Sequence, residues 1–339
     1  MSWRPRAKKA ESMIARHSSL AGLPARLRGA TVAIGNFDGV HRGHQAVLEA
    51  AGAAAERDAT PLTVLTFEPH PRAVFKPDRA PARITPAPMK AEILEALGFD
   101  AVVEMPFTLD FAALTADQFI DDVLVSGFGV RHVVTGFDFH FGAKRQGGPA
   151  FLMEAGRNRG FDVILVDAER DTDIHVISSS RIRDELQTGR LDDANRLLGY
   201  RYRVRAEVAK GEQLGRTLGY PTANMALPET TPLAHGIYAV RFIRADGTIH
   251  DGVASFGRRP TVTENGAPLL ETFLFDFHGD LYGETCTVCL VAFQRGEEKY
   301  DDLDTLVAQM KRDEASARQT LATVEPLSPL DATLTFGGG

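Results

Sequence analysis

Short apolar segments alternate with helical segments through the first half of the chain, and this alternation limits the possible folds more than any other feature. Strand-like runs begin at Thr31 (TVAIG), Pro61 (PLTVLTF), Ala101 (AVVEM), Arg131 (RHVVTG) and Phe161 (FDVILV). Helical segments such as PMKAEILEALGFD lie between them. The pattern predicts an α/β domain with a doubly wound parallel sheet covered on both faces. Such sheets bind ligands beyond the carboxyl ends of the strands, where the strand order switches.

The pattern changes after the segment SSSRIRDELQTGRLDDANRLLGY. Five strand-like runs follow with little room for helices: YRVRAEV, GIYAVRFI, TIHDGVASF, PLLETFLFDF and TCTVCLVAF. They predict a second domain built as an antiparallel sheet or β-barrel, with a late helix over LDTLVAQMKRDEASARQTLA.

The tail after Val324 carries prolines and three final glycines and is expected to be loose. The role of the first ~25 residues stays open, with an added helix as the simplest expectation.

Length and charge narrow the class of protein. The chain of 339 residues exceeds what one hydrophobic core usually serves. Its formal net charge of -7 argues against a general nucleic-acid binder. No apolar run is long enough to span a bilayer, and the basic N-terminal stretch lacks the apolar core of a signal peptide. We therefore expect a cytoplasmic enzyme that binds neither nucleic acid nor membrane, of undetermined oligomeric state.

The only two cysteines, Cys286 and Cys289, form a CxxC motif. This spacing suggests a redox or metal site, but the motif lies in a strand-like run. Residues an odd number apart on a strand point to opposite faces. We therefore expect both thiols to be structural.

The stretch GNFDGVHRGH, from Gly35 to His44, places glycines and two histidines between a strand and a helix. A helix N-terminus attracts phosphate, and glycines allow the backbone to approach it closely. His41 and His44 share one helix face and can donate hydrogen bonds to a phosphate. Surface histidines on a glycine turn are the simpler alternative. The strand before and the helix after favour phosphate binding.

Three further segments follow strands of the first half: TFEPHPRAVF, GFDFHFGAKRQGG and SSSRIR. Each alone has an ordinary structural interpretation, as a rigid loop, an aromatic strand or a helix cap. In the second half, KGEQLGRTLGYPTANMALP offers a glycine loop and then the oxygen donors of Thr222 and Asn224, which suit Mg²⁺. A hairpin turn before a proline-rich loop is the alternative for this segment.

The histidine motif resembles the HxGH signature of nucleotidyltransferases. With the three segments above, the first half is similar to the FMN adenylyltransferase module of bacterial bifunctional riboflavin kinase/FAD synthetases. The resemblance implies that His41 and His44 hold the ATP phosphates. Around them it implies nucleotide contacts from Gly35, Phe37, Asp38, Gly39, Asp138, Ser179 and Ser180. It also implies a catalytic Arg183, with Arg181 and Arg145 as weaker candidates, and a flavin wall at His70 and Pro71.

The second half resembles the riboflavin kinase module, whose fold is a small antiparallel barrel. This implies Thr222 and Asn224 as ligands of Mg²⁺ and ATP, and Glu271 as the general base for the riboflavin 5′-hydroxyl. It further implies a nucleotide loop with Gly215, Arg216, Gly219 and Pro221, and a flavin contact from Arg295. Two residues depart from the family pattern, Ser255 and Phe273. Neither is one of the expected catalytic positions, although both are able to alter ligand affinity.

The expected protein is a bifunctional enzyme. Residues 28–186 would convert FMN to FAD with ATP, and residues 187–324 would phosphorylate riboflavin to FMN, both with Mg²⁺. The alternatives are an enzyme with one working half, a flavin-binding protein without catalysis, and an adenylyltransferase for another acceptor such as a pantetheine phosphate.

Overall fold

The computed structural model describes residues 14–171, 175–211, 219–258 and 268–338, and it divides into two compact units. The first unit holds the chain up to Pro81 together with Thr85–Ser178. The second holds Ala82–Ile84 and the chain from Ser179 onward. The expected domain limits of 28–186 and 187–324 stay predictions. None of the described helices has the length and apolar character needed to span a bilayer.

The first unit is built on a parallel sheet of six strands in the order β1-β4-β3-β2-β5-β6. The strands are β1 (Ala15–His17), β2 (Thr31–Ile34), β3 (Leu62–Glu68), β4 (Ala101–Pro106), β5 (His132–Gly136) and β6 (Asp162–Val166). Every residue of β2 is buried, as expected for a central strand covered on both faces. The parallel α/β sheet is confirmed.

The strand order switches at β2, which pairs with β3 on one side and β5 on the other. Whatever follows β2 and β5 at their carboxyl ends therefore lies at the switch point. The edge strand β1 pairs with β4. The expected added helix is thus wrong for residues 15–17. A three-residue strand carries no alternation of its own, and its conformation comes from hydrogen bonding to the β4 edge.

Helices connect these strands. They are α1 (Arg42–Asp58), α2 (Pro71–Phe75), α3 (Ala87–Ala96), α4 (Leu109–Ala112), α5 (Ala116–Gln118) and α6 (Pro149–Arg159). Helix α5 starts with a capping box at Thr115 and continues as a π-helix over Phe119–Phe128. Single-turn 3₁₀ segments cover Ala25–Leu27, Pro77–Arg79 and Ala143–Arg145.

The second unit starts with helices α7 (Ser179–Gln187) and α8 (Leu191–Leu198) and continues into a closed antiparallel barrel. Its strands are β7 (Arg203–Ala209), β8 (Thr222–Ala226), β9 (Gly236–Ile243), β10 (Ile249–Gly257), β11 (Leu269–Leu274) and β12 (Thr285–Arg295). Their order around the barrel is β10-β11-β8-β7-β12-β9. The barrel is confirmed. Strand β8, which contains Thr222 and Asn224, is a sixth strand beyond the five strand-like runs of the sequence.

Two helices complete the second unit, Leu303–Thr323 and Pro329–Phe336. The long helix packs Ala317 and Leu321 against the barrel. The second helix lies in the tail that was expected to be loose, and that expectation is wrong. It buries Leu330, Leu334 and the fully buried Asp331, which forms an ion pair with Arg201 of the segment before β7.

Candidate active sites

The turn between β2 and α1 has an unusual backbone. Phe37, Gly39 and Val40 all have positive φ angles, of 47°, 90° and 37°. For the β-branched Val40 this conformation is a genuine outlier, and strained backbone of this kind concentrates at functional sites. A Cβ on Gly35 would lie 3.0 Å from the Phe37 ring, so a larger residue there would push against that ring.

Hydrogen bonds to one threonine hold this turn in place. The buried Asp38 accepts from the Thr85 N–H at 3.1 Å, and the Gly39 N–H donates to the Thr85 hydroxyl at 2.8 Å. The buried Asp38 side chain thus stabilises the conformation of the turn. Its expected contact with a nucleotide stays a prediction.

The two histidines form a stacked pair at the start of α1. Their ring centroids lie 3.6 Å apart with an interplanar angle of 17°. His41 is the N-cap residue, and its Nδ1 accepts from the His44 N–H at 3.3 Å. In the neutral His41 ring the proton is therefore on Nε2, which is then a hydrogen-bond donor. The edge of the Phe37 ring faces His44 at 5.3 Å.

Charge and burial keep His44 neutral. Burial lowers the pKa of His44 well below its usual value, and the nearby positive charges of His41 and Lys90 lower it further. Two imidazolium rings stacked at this distance would repel each other. The neutral His44 ring keeps one N–H that can donate to a phosphate oxygen at the helix N-terminus.

A buried lysine adjoins the turn and was not among the expected site residues. Lys90 of α3 is 1% exposed. Its Nζ donates to the Asn36 carbonyl at 3.1 Å, to the Thr66 hydroxyl at 3.0 Å and to Glu68 at 3.0 Å. The Thr66 hydroxyl itself donates to the same Asn36 carbonyl. The one sequence signal for Lys90 is a charge directly between the apolar residues Met89 and Ala91.

The expected flavin wall begins where β3 ends. His70 is buried and caps α2, its Nδ1 accepting from the Arg72 N–H at 3.1 Å, and Pro71 is the first residue of that helix. An aromatic cluster at the same edge of the sheet was not anticipated; it consists of Phe67, Phe75, Phe107 and Phe111. The Phe75 ring is 58% exposed and lies 5.7 Å from Phe107. The cluster thus presents an aromatic surface to solvent.

The remaining residues expected around the nucleotide lie on other segments. Asp138 follows β5, the strand next to β2, and is exposed. Ser179, Ser180 and Arg183 belong to α7 of the second unit, where Arg183 donates to the Ala82 carbonyl. Arg181 lies 3.7 Å from Glu185, and Arg145 lies 3.0 Å from His140. Their roles stay predictions.

The barrel places the expected kinase residues on one surface. Asn224 of β8 is directly opposite Glu271 of β11, and Thr222 is two residues before Asn224. Directly opposed residues of neighbouring strands point to the same face, as do residues two apart. The alternate positions are buried in the barrel interior: Ala223, Met225, Leu270, Thr272 and Leu274. Thr222, Asn224 and Glu271 therefore share the outer face.

The two departures from the family pattern flank these residues. Ser255 of β10 is opposite Glu271 on the other side of β11. Phe273 is opposite Thr222, and its ring packs against Tyr220 at 4.7 Å. Both departures thus lie beside expected catalytic or ligand positions, closer than the sequence indicated.

The backbone of Gly211 lies close to the Asn224 side chain. A Cβ on Gly211 would lie 2.6 Å from the Asn224 side-chain nitrogen, so a larger residue there would displace the Asn224 amide. Asn224 Nδ2 donates to the Thr222 carbonyl at 3.0 Å, which orients the amide. Gly219, with φ of 83°, and the exposed Pro221 precede β8. The expected nucleotide contacts Gly215 and Arg216 lie outside the described residues.

Arg295, the expected flavin contact, is held by the long helix. Its guanidinium donates to both carboxylate oxygens of the buried Asp313, at 2.9 and 2.6 Å. These hydrogen bonds raise the pKa of Arg295. Its flavin role stays a prediction.

Both cysteines are free and buried on β12. Burial raises the pKa of Cys286 to about 12. Burial also raises the pKa of Cys289, whose Sγ lies 3.9 Å from the Leu334 carbonyl. The two thiols thus have different surroundings.

Comparison with known proteins covers nearly the whole chain. The family model described as FAD synthetase matches residues 23–181, and the one described as riboflavin kinase matches residues 198–321. The chain is 40% identical to a bifunctional riboflavin kinase/FMN adenylyltransferase of Pseudomonas fluorescens, over 87% of this chain and 94% of that protein. It is 39% identical to the protein of that description from Escherichia coli K12, over 88% and 95%.

Among solved structures, one from Streptococcus pneumoniae described as a macrolide-efflux protein has the same fold. It superposes with a TM-score of 0.78 and 31% identity, covering 91% of this chain and 99% of that chain.

Proposed function

The chain belongs to the family of bifunctional riboflavin kinase/FMN adenylyltransferases, and on this premise we propose how its residues divide the two reactions. The protein is an enzyme that phosphorylates riboflavin to FMN with ATP. It also adenylylates FMN to FAD and releases pyrophosphate. We assign the adenylyl transfer to the first unit and the phosphorylation to the second.

One observation carries the first assignment: a stacked histidine pair at a helix N-terminus, on a strained turn at the switch point of a parallel sheet. In the proposed reaction the FMN phosphate attacks the α-phosphorus of ATP, and pyrophosphate leaves. Nε2–H of His41, His44 and the amides of α1 donate to phosphate oxygens as their charge grows. The site works by positioning and charge stabilisation, without a covalent intermediate.

We place the flavin beside the aromatic cluster. The isoalloxazine ring is planar and aromatic, and it would stack against an exposed aromatic side chain. Phe75 provides such a ring next to His70 and Pro71. Asp138, which follows β5 in the same unit, would bind the nucleotide. The phosphate contacts that the family resemblance implies for Ser179, Ser180 and Arg183, on α7 of the second unit, stay predictions.

In the second unit we propose Glu271 as the base that accepts the riboflavin 5′-hydroxyl proton as the phosphoryl group is transferred. The Thr222 hydroxyl and the Asn224 amide are oxygen donors of the kind Mg²⁺ prefers, on the same face as Glu271. Bound there, Mg²⁺ would neutralise charge on the ATP phosphates. We expect the enzyme to act in the cytoplasm, where its two free thiols would stay reduced.

A time course separates the two activities. The protein is incubated with riboflavin, ATP and MgCl₂, and the flavins are separated by chromatography. FMN should appear first and FAD should follow. With FMN supplied, His44→Ala should lower FAD formation by about 10²–10³-fold and leave riboflavin phosphorylation unchanged. Glu271→Ala should do the reverse, by roughly 10²–10⁴-fold.

Other outcomes identify the alternatives. FMN without FAD would mean that the first unit is silent or takes another acceptor. Loss of both activities in either folded variant would contradict the assignment of one site to each unit. No turnover of any flavin would favour a binding protein.

A further inference from the structure

Lys90 is a buried cation of the first unit, and its described hydrogen bonds lead to the turn of the proposed phosphate site. Lys90 is on α3, and the neighbouring Met89, Ala91, Ile93 and Leu94 are buried. Burying a charge costs free energy unless the charge is paired and hydrogen-bonded. Lys90 meets this condition, because its three described hydrogen bonds use the three donors of the ammonium group. An apolar residue would fill the same space at lower cost, so the charge itself calls for a reason.

The partners of Lys90 indicate that reason. The Asn36 carbonyl belongs to the turn that continues into the strained Phe37–Val40 segment and the N-cap His41. Thr66 and Glu68 lie on β3, the strand next to β2. The ammonium group therefore ties the strained turn to the sheet. Strained backbone persists only when the surrounding structure fixes it.

We propose that Lys90 is a positioning residue for adenylyl transfer. Its ammonium group holds the turn through the Asn36 carbonyl so that the histidines and the α1 amides converge on the transferring phosphate. It also places a buried positive charge beside the site. The proposal rests on the proposed function of the first unit and adds a residue to that site.

The test compares Lys90→Met with Lys90→Arg and the wild type. Lys90→Met keeps the apolar stem and removes the charge, and kcat for FMN adenylylation should fall by about 10²-fold. Lys90→Arg keeps the charge, but its planar fork does not fit three converging acceptors. Lys90→Arg should therefore have a KM for ATP close to that of the wild type, but a lower kcat. Lys311→Met, on the exposed side of the long helix, is the matched control and should leave FAD formation unchanged.

If Lys90 has a purely structural role, Lys90→Met should lower the unfolding temperature and leave kcat per folded molecule within about threefold of the wild type. That result would overturn the proposal.

Lys90→Met could fail to fold because it leaves the Glu68 carboxylate unpaired. In that case the double variant Lys90→Met/Glu68→Gln is used, which removes both charges. If the double variant also fails to fold, kcat is measured for Thr66→Val, which removes one hydrogen-bond acceptor of Lys90. A fall of kcat supports the proposal, and an unchanged kcat overturns it. His44→Ala in the same assay tests the site itself: if it still forms FAD, the proposed function fails rather than the role of Lys90.

Discussion

At the scale of single residues, the adenylylation site depends on groups kept neutral or paired by their surroundings. His44 would carry a proton near pH 6 in an unfolded chain, and in the folded protein its pKa is well below that value. The stacked His41 ring and the buried Lys90 both favour the neutral form. At a pH below about 6.5, His44 therefore binds a proton in the unfolded chain and not in the folded protein.

This difference in proton binding predicts a pH dependence of stability. As the pH falls through about 6.5, the unfolded state gains a proton on His44 that the folded state does not, so the free energy of unfolding falls. His44→Gln removes this contribution. The dependence between pH 7.5 and 5.5 should then be shallower, by at most about 1.4 kcal/mol per pH unit. Urea unfolding at several pH values measures it, with the exposed His278→Gln as the control. Equal slopes in wild type and His44→Gln would contradict a neutral His44.

The sequence predicted the parts of the candidate site whose residues lie on one contiguous segment of the chain. The segment GNFDGVHRGH places His41, His44 and their glycines correctly, because the strand, turn and helix that bring them together are contiguous. Lys90 could not be predicted, because its burial depends on Thr66 and Glu68, more than 20 residues earlier in the chain. That Ser255 lies directly opposite Glu271 was not predicted for the same reason, since strand register sets this contact.

At the scale of elements, the C-terminal helix shows that local signals can be overlooked even when they are present. Prolines and glycines after Val324 suggested a loose tail. In fact Ser328 is the N-cap, Pro329 is the first residue of the helix, and Gly337 ends it with φ of 80°. These are the positions that a capped helix favours. What the sequence did not show is that Asp331 would find a buried partner in Arg201.

Removing this partner should destabilise the second unit. Asp331→Ala leaves the buried Arg201 without its ion pair and also removes acceptors for the Leu327 and Arg201 N–H groups. Breaking a buried pair costs about 3–5 kcal/mol. Riboflavin phosphorylation should therefore be lost at a temperature roughly 6–20 °C lower. Asp301→Asn, at an exposed position, is the control. An unchanged inactivation temperature would mean that the helix contributes little to stability.

At the scale of the whole molecule, two unrelated folds are joined in one chain. The parallel sheet of the first unit and the barrel of the second each have their own core. Their proposed reactions share ATP and a flavin, with FMN as the product of one and the substrate of the other. FMN that leaves one molecule can therefore enter another.

Mixing two inactive variants tests this exchange. His44→Ala should make FMN only, and Glu271→Ala should convert FMN only. An equimolar mixture should form FAD from riboflavin after a lag, while each variant alone does not. The His44→Ala/Glu271→Ala double variant is the negative control. No FAD from the mixture, with each single activity intact, would show that FMN is not released between the steps.

The two buried cysteines on β12 have a practical consequence. Their raised pKa values leave almost no thiolate at neutral pH, and thiolate is the form that reacts with alkylating reagents. The native thiols of the folded enzyme should therefore react very slowly with thiol-alkylating reagents. A single cysteine introduced at an exposed position, such as Lys76 beside the proposed flavin wall, would carry a fluorophore or spin label without removal of the native thiols.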